Sequence, residues 1–109
     1  MDVADRIRTL VAEHPAVLFM KGTPEFPMCG FSHRAVRALE AAGVPFHAIN
    51  VLEDPELRAG LPAYANWPTF PQLFVQGELI GGCDIIEELQ ASGQLARLLS
   101  DTGAAGGGA

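Results

Sequence analysis

The residue with the clearest chemical potential is Cys29, which begins the run Cys29-Gly30-Phe31-Ser32. A dithiol redox motif has a second cysteine where this chain has Ser32, and such a pair closes a local disulfide and passes two electrons to a substrate. A single thiol has no such partner within the motif. It must therefore use a thiol from elsewhere, or perform a chemistry other than two-electron exchange within the motif.

Cys29 is predicted to lie where an irregular loop, residues 22–28, meets a helix. Unpaired N–H groups and the positive end of the helix dipole favour a thiolate there, and Lys21 adds a positive charge. Such surroundings lower a thiol pKa from about 8.5 to between about 3.5 and 7.5. We predict a reactive thiolate; the alternative is a small buried side chain, the usual fate of a free cysteine. Phe31 either shields the sulfur or belongs to the core, and Ser32 is read as a hydroxyl at the helix N-terminus.

The run Thr69-Phe70-Pro71 forms a second group. Most X–Pro bonds are trans, so the bond before Pro71 is expected to be trans on general grounds. A cis bond would instead turn the backbone of Phe70 outward, where it can pair like a strand with a peptide ligand. The sequence leaves these two interpretations, a ligand-binding edge and a rigid connector, open.

The run Gly81-Gly82-Cys83-Asp84 forms a third group at the predicted start of a helix. Backbone N–H groups in such a segment can hold a carboxylate. Asp84 is predicted to be the N-cap of this helix, with reception of a ligand's ammonium group as the alternative. Cys83 is either a buried side chain or a second thiol near Cys29. A zinc site of Cys29, His33 and Cys83 is disfavoured, because the spacing is a poor match to known zinc sites and His33 is expected to face solvent.

The composition predicts one domain, with 109 residues and a net charge of −6 from 13 acidic and 7 basic residues. An acidic chain is a poor partner for nucleic acid or an anionic membrane. The sequence has neither an apolar run of membrane-spanning length nor a signal-peptide pattern, which predicts a soluble cytoplasmic protein. Its two cysteines are expected to be free thiols or ligands. Residues 1–100 are predicted to form the domain, and residues 101–109 a flexible Gly/Ala-rich tail.

The positions of the apolar and turn residues predict the element order αβαβαββα. Two early strands, Ala16–Lys21 and Val44–Val51, alternate with helices and are expected to pair in parallel, whereas a late hairpin adds antiparallel strands. Gly60 and Pro62 are expected to split the third helix into two short pieces. The predicted fold is therefore α/β, a small mixed sheet with helices on both faces.

Four motifs together resemble the monothiol glutaredoxins of the Cys-Gly-Phe-Ser type: Lys21-Gly22-Thr23-Pro24, Cys29-Gly30-Phe31-Ser32, Trp67-Pro68-Thr69-Phe70-Pro71 and Gly81-Gly82-Cys83-Asp84. The motifs occur in order and with suitable spacing, and the resemblance covers residues 1 to 100. It implies a thioredoxin-like fold, with a four-stranded mixed sheet flanked by helices, in which Pro71 is cis.

The resemblance also implies a glutathione site and a cargo. Lys21 would meet the glycine carboxylate of glutathione, helped by Arg58, and the backbone of Phe70 would pair with its cysteinyl part. The Cys83 amide and Asp84 would hold the γ-glutamyl end. Members of the family bind a [2Fe–2S] cluster between two subunits, transfer it to apo-proteins and pair with BolA-like proteins, which makes Cys29 the predicted iron ligand.

The number of thiolates is consistent with this resemblance. A [2Fe–2S] cluster usually takes four thiolates, and Cys29 from each of two chains plus two glutathiones supplies four. Two cysteines from each of two chains also make four, an arrangement disfavoured if Cys83 lies at the glutathione site. Two other functions remain open: a glutathione-dependent thiol–disulfide oxidoreductase with Cys29 as its catalytic thiol, and a regulatory module that senses iron or redox state through a BolA-like partner.

Overall fold

The computed structural model describes residues 2–101, which form a four-stranded sheet with flanking helices. The elements are α1 Val3–Glu13, β1 Ala16–Met20, α2 Gly30–Ala41, β2 His47–Asn50, a 3-10 helix Val51–Glu53, α3 Pro55–Ala65, β3 Gln72–Val75, β4 Glu78–Gly81, α4 Cys83–Ala91 and α5 Gln94–Asp101. The tail predicted from residue 101 lies, beyond Asp101, outside the described residues. Within the described part of the chain, no helix combines the length and apolar character needed to cross a membrane.

The sheet has the strand order β2-β1-β3-β4. Strand β1 pairs in parallel with β2 and antiparallel with β3, which forms the hairpin with β4. All residues of β1 are buried: Ala16, Leu18 and Met20 belong to one core cluster, and Val17 and Phe19 to the other. Because successive side chains of a strand point to opposite faces, the two clusters lie on the two sides of the sheet. The predicted mixed sheet with helices on both faces is confirmed.

Strand β2 is shorter than predicted, because the segment expected from Val44 to Val51 is a strand only over His47–Asn50. The side chain of Asn50 ends it: its Oδ1 accepts hydrogen bonds from the N–H of Leu52 at 3.0 Å and of Gly22 at 2.9 Å. The first bond starts the 3-10 helix, and the second ties β2 to the loop that leads to Cys29. Asn50 thus fixes one side of the candidate site.

Helix α3 is continuous, so the prediction that it splits at Gly60 and Pro62 is wrong. Pro62 has no N–H, and one helical hydrogen bond is therefore missing inside the helix. Burial of Leu57 and Leu61 in the core offsets this loss, because packing of an apolar face contributes more to helix stability than local propensity. Gly60 permits close helix packing: a Cβ there would lie 2.7 Å from a side chain of α1.

Candidate functional site

A cavity of about 900 Å³ lies where β1, α2, α3 and α4 meet the loop before β3. The structure brings all six predicted site residues to its lining: Lys21, Cys29, Arg58, Phe70, Cys83 and Asp84. They come from five separate segments of the chain, so the fold rather than local sequence assembles the site.

The sulfur of Cys29 lies at the N-terminus of α2, as predicted. Partial burial alone raises the pKa of this thiol, but the N–H groups of Ser32 and Phe31, the Ser32 hydroxyl and the charge of Lys21 together lower the pKa below its ordinary value. The thiolate fraction at neutral pH is therefore larger than that of an ordinary cysteine. Phe31 is not part of the core, because its side chain is 57% exposed at the rim of the cavity.

Ser32 has a larger role than that predicted for a hydroxyl at the helix N-terminus. Its side chain is fully buried, and its Oγ accepts a hydrogen bond of 3.1 Å from the N–H of Lys21. The hydroxyl therefore links Lys21, the residue after β1, to the first turn of α2. Both the charge of Lys21 and the N–H groups of that turn lower the pKa of Cys29. A signal was present in the sequence, because Ser32 shares the inward helical spacing of Ala35, Val36 and Leu39.

Replacing Ser32 by alanine is expected to raise the pKa of Cys29, since one of the groups that lower it is removed. It should also reduce the free energy of unfolding by roughly 1–3 kcal/mol, because the Lys21 N–H loses its acceptor. Only the thiolate is alkylated, so the alkylation rate rises with pH through the pKa, and its midpoint should move to higher pH in a Cys83→Ser background. The exposed serine at position 92 provides the control, Ser92→Ala; an unchanged midpoint for Ser32→Ala would contradict this role.

The loop before β3 forms one wall of the cavity with Trp67, Thr69, Phe70 and Pro71. The Phe70–Pro71 bond is cis, as the family resemblance implied and against the general expectation for an X–Pro bond. Sequence reasoning overlooked the residue that follows, Gln72, whose fully buried side chain bonds to two carbonyls of this loop. The available signal was an amide side chain beside the apolar run of β3.

Asp84 is not the N-cap of α4, so that prediction is wrong. Gly82 occupies the N-cap position, Cys83 begins the helix, and the Asp84 side chain is 85% exposed in the first turn. Gly82 has little room for a side chain: a Cβ there would lie 3.1 Å from the Trp67 Nε1 and 3.3 Å from the Pro71 carbonyl oxygen. Because no side chain caps the helix, its first N–H groups remain available to a ligand. The exposed Asp84 carboxylate lies 3.6 Å from the Arg34 guanidinium.

Cys83 differs from Cys29 in its electrostatics. Its side chain is buried, and burial together with the negative charges of Glu87 and Asp84 raises the pKa of its thiol. The zinc site of Cys29, His33 and Cys83 does not form: His33 is exposed, and the only metal-compatible group found within residues 2–101 is Cys83, Asp84 and Glu87. Both carboxylates of that group form ion pairs with Arg34.

The charges of the cavity are complementary to a ligand that carries both signs. Lys21 and Arg58 line it, and neither forms a salt bridge within the described part of the chain, whereas Arg6 is paired with Asp54. Asp84 adds a carboxylate at the start of α4. A peptide with a free carboxylate and a free ammonium group fits such an arrangement.

The sequence model of the glutaredoxin family matches residues 16–80 of this chain. The chain is also 55% identical over 104 residues to the protein named Glutaredoxin 4 from Pasteurella multocida (strain Pm70), with 95% of each chain covered. The chain belongs to the glutaredoxin family. This confirms the family resemblance that the four motifs indicated.

Two further comparisons concern a monothiol relative and the structure of another glutaredoxin. The protein named Monothiol glutaredoxin-S11 from Oryza sativa subsp. japonica is 56% identical over 97 residues, which are 89% of this chain and 20% of that protein. The crystal structure of a buckwheat glutaredoxin–glutathione complex superposes with a TM-score of 0.80 at 27% identity, covering 94% of this chain and 91% of the other. The glutaredoxin therefore has the thioredoxin-like fold of its family.

Proposed function

We propose that this monothiol glutaredoxin binds glutathione in the cavity and carries a [2Fe–2S] cluster to apo-proteins. The observation that carries the proposal is a single thiol of lowered pKa, Cys29, at the edge of a cavity whose charges suit glutathione. Glutathione has a glycine carboxylate at one end and, at its γ-glutamyl end, an ammonium and a second carboxylate. Lys21 and Arg58 would receive the glycine carboxylate.

The remaining parts of glutathione would bind to the loop before β3 and to the start of α4, which also line the cavity. The backbone of Phe70 would pair with the cysteinyl part and so direct its sulfur towards Cys29. The uncapped N–H groups at the start of α4 and the carboxylate of Asp84 would receive the γ-glutamyl end. The complex of the buckwheat relative with glutathione supports this choice of ligand.

The distribution of thiols supports an assembly of two chains. Four thiolates are the usual ligands of a [2Fe–2S] cluster, but one chain offers only Cys29 as a thiol of lowered pKa. Cys83 is buried, and its raised pKa disfavours the thiolate that iron requires. Two copies of Cys29 and two bound glutathiones complete the ligand set in a homodimer bridged by the cluster.

Reconstitution with iron and sulfide tests the proposal. Visible absorption typical of a [2Fe–2S] cluster is expected with glutathione and not with S-methylglutathione, which keeps the charged groups but has no ionisable thiol. The matched ligand separates binding in the cavity from ligation of iron. Full absorption with S-methylglutathione, or without any glutathione, would overturn the proposed ligand set.

A second candidate activity, removal of glutathione from mixed disulfides, is favoured by the lowered pKa of Cys29. The thiolate would attack the glutathionyl sulfur and release the substrate thiol, after which a second glutathione attacks the new mixed disulfide and leaves as oxidised glutathione. Turnover at the rate of dithiol glutaredoxins would make this the main activity. Negligible turnover beside stable cluster binding would reject it.

The proposed carrier function extends to partners and location. Apo iron–sulfur proteins would receive the cluster, and a BolA-like protein would pair with this chain in a regulatory complex that senses iron or redox state. A cytoplasmic location would suit a free Cys29 thiol, because the reducing conditions there disfavour disulfides. Capture of a BolA-like protein from cells grown with iron and not without it would favour sensing over delivery.

A further inference from the structure

Gln72 is an unusual residue for its position in the fold. It begins β3, directly after Pro71, and its side chain is fully buried. Ser32 and Gln72 are the two buried polar side chains among residues 2–101 whose exposure the structure describes. Every other residue of β3 is apolar, so Gln72 places an amide at the end of an otherwise apolar strand.

Both hydrogens of the Gln72 amide are directed at the loop that forms the cavity wall. The Nε2 donates to the carbonyl oxygen of Trp67 at 3.0 Å and to that of Thr69 at 3.2 Å. Because both partners are acceptors, the orientation of the amide is fixed. These two bonds fix the positions of Trp67 and Thr69, the loop residues on either side of Pro68.

The arrangement costs stability, because the Oε1 of Gln72 is buried without a hydrogen-bond partner within the described part of the chain. An apolar side chain of the same length would fill the space without leaving a buried acceptor unpaired. Packing alone therefore does not explain an amide at this position, whereas its two hydrogen bonds to the loop do explain it.

The loop has little freedom to move without changing the cavity. The Nε1 of Trp67 would lie 3.1 Å from a Cβ at Gly82, so the indole packs closely against the start of α4. A displacement of the Trp67 and Thr69 carbonyls therefore alters the spacing between the backbone of Phe70 and the N-terminus of α4. Those two features are the proposed contacts of the cysteinyl and γ-glutamyl parts of glutathione.

We infer that Gln72 is a positioning residue for glutathione, which sets the spacing of the groove through the Trp67 and Thr69 carbonyls. The inference rests on the proposed function, because it assigns a role within the same site. Gln72 does not contact the ligand and acts only through the loop. By linkage, glutathione binding must in turn strengthen the two bonds that favour the binding-competent loop.

The variant Gln72→Met tests this inference, because methionine is unbranched, apolar and of similar length. We expect the unfolding midpoint to fall only slightly, because the two lost bonds are partly offset by removal of the unpaired Oε1, whereas the Kd for glutathione rises about tenfold. Trp67 is the single tryptophan of the chain, so its fluorescence reports the loop directly and its emission should shift in the variant. The control is Gln90→Met on α4, which should change neither the Kd nor the emission.

Two outcomes separate this inference from the proposed function. If Gln72→Met binds glutathione as tightly as the wild type, the positioning role is wrong and the proposed function stands. If the wild type itself binds no glutathione, the proposed function fails. Should Gln72→Met not fold, hydrogen exchange of the Gln72 side-chain amide in the wild type decides: glutathione must slow it, and an unchanged rate overturns the inference.

Discussion

Replacing Cys29 by serine is expected to eliminate cluster binding and thiol-dependent turnover. The change removes the one thiol of lowered pKa that the cavity contains, and a serine hydroxyl is neither ionised at neutral pH nor a suitable ligand for iron. Because the Cys29 side chain is only partly buried and does not cap α2, the free energy of unfolding should change by less than about 1 kcal/mol. Visible absorption after reconstitution and chemical unfolding measure the two effects.

The matched control is Cys83→Ser, which removes the other cysteine of the same cavity. It should retain the absorption, because the raised pKa and burial of Cys83 disfavour it as an iron ligand. A cluster of equal intensity in Cys29→Ser, or its loss in Cys83→Ser without unfolding, would show that the iron is held elsewhere.

Reversing the charge of Lys21 or Arg58 is expected to weaken glutathione binding. The substitution Lys21→Glu should raise the Kd by about tenfold, since it places an anion where a ligand carboxylate is proposed to bind. Arg58→Glu should raise the Kd by about threefold, because the Arg58 side chain is exposed and its interactions are more strongly screened by solvent. Calorimetric titration with glutathione measures both values.

The control for these variants is Arg37→Glu, which makes the same change in net charge on the exposed face of α2, outside the cavity. It should leave the Kd within experimental error. A comparable loss of affinity in Arg37→Glu would mean that net charge, and not the position of the two cations, governs binding.

Much of the fold was predictable because short-range physics determines it. Asp2 caps α1 and Asp54 caps α3 as their residue types suggest, and the alternation of helices and strands gave the mixed sheet. Prediction from the sequence failed where contacts between distant parts of the chain determine the local structure. Pro62 lies inside an unbroken helix because core packing outweighs its lost hydrogen bond.

In the candidate site too, the sequence predicted some features and missed those that depend on contacts between distant residues. The family resemblance implied the six residues that share the cavity, five of them within the four motifs and Arg58 outside them. Nothing in the motif spacing gives the distances between the five segments of the chain. The role of Asp84 was misjudged because Gly82, which packs closely against Trp67 and Pro71, occupies the N-cap instead. The buried contributions of Ser32 and Gln72 depend on backbone groups that sequence alone does not bring near them.

Ser32 affects Cys29 in two ways. It replaces a thiol that could form a disulfide with Cys29, and its buried hydroxyl accepts a hydrogen bond from the Lys21 N–H. The missing second cysteine therefore leaves Cys29 free for a ligand from outside the motif, while the hydroxyl in its place helps to keep the pKa of Cys29 low.

The mass of the intact reconstituted complex tests the central claim most directly. Native mass spectrometry should show two chains, two glutathiones and one [2Fe–2S] cluster, the composition that supplies four thiolates when each chain contributes only Cys29. A cluster-bound dimer without glutathione, or a cluster on a single chain, would contradict the account.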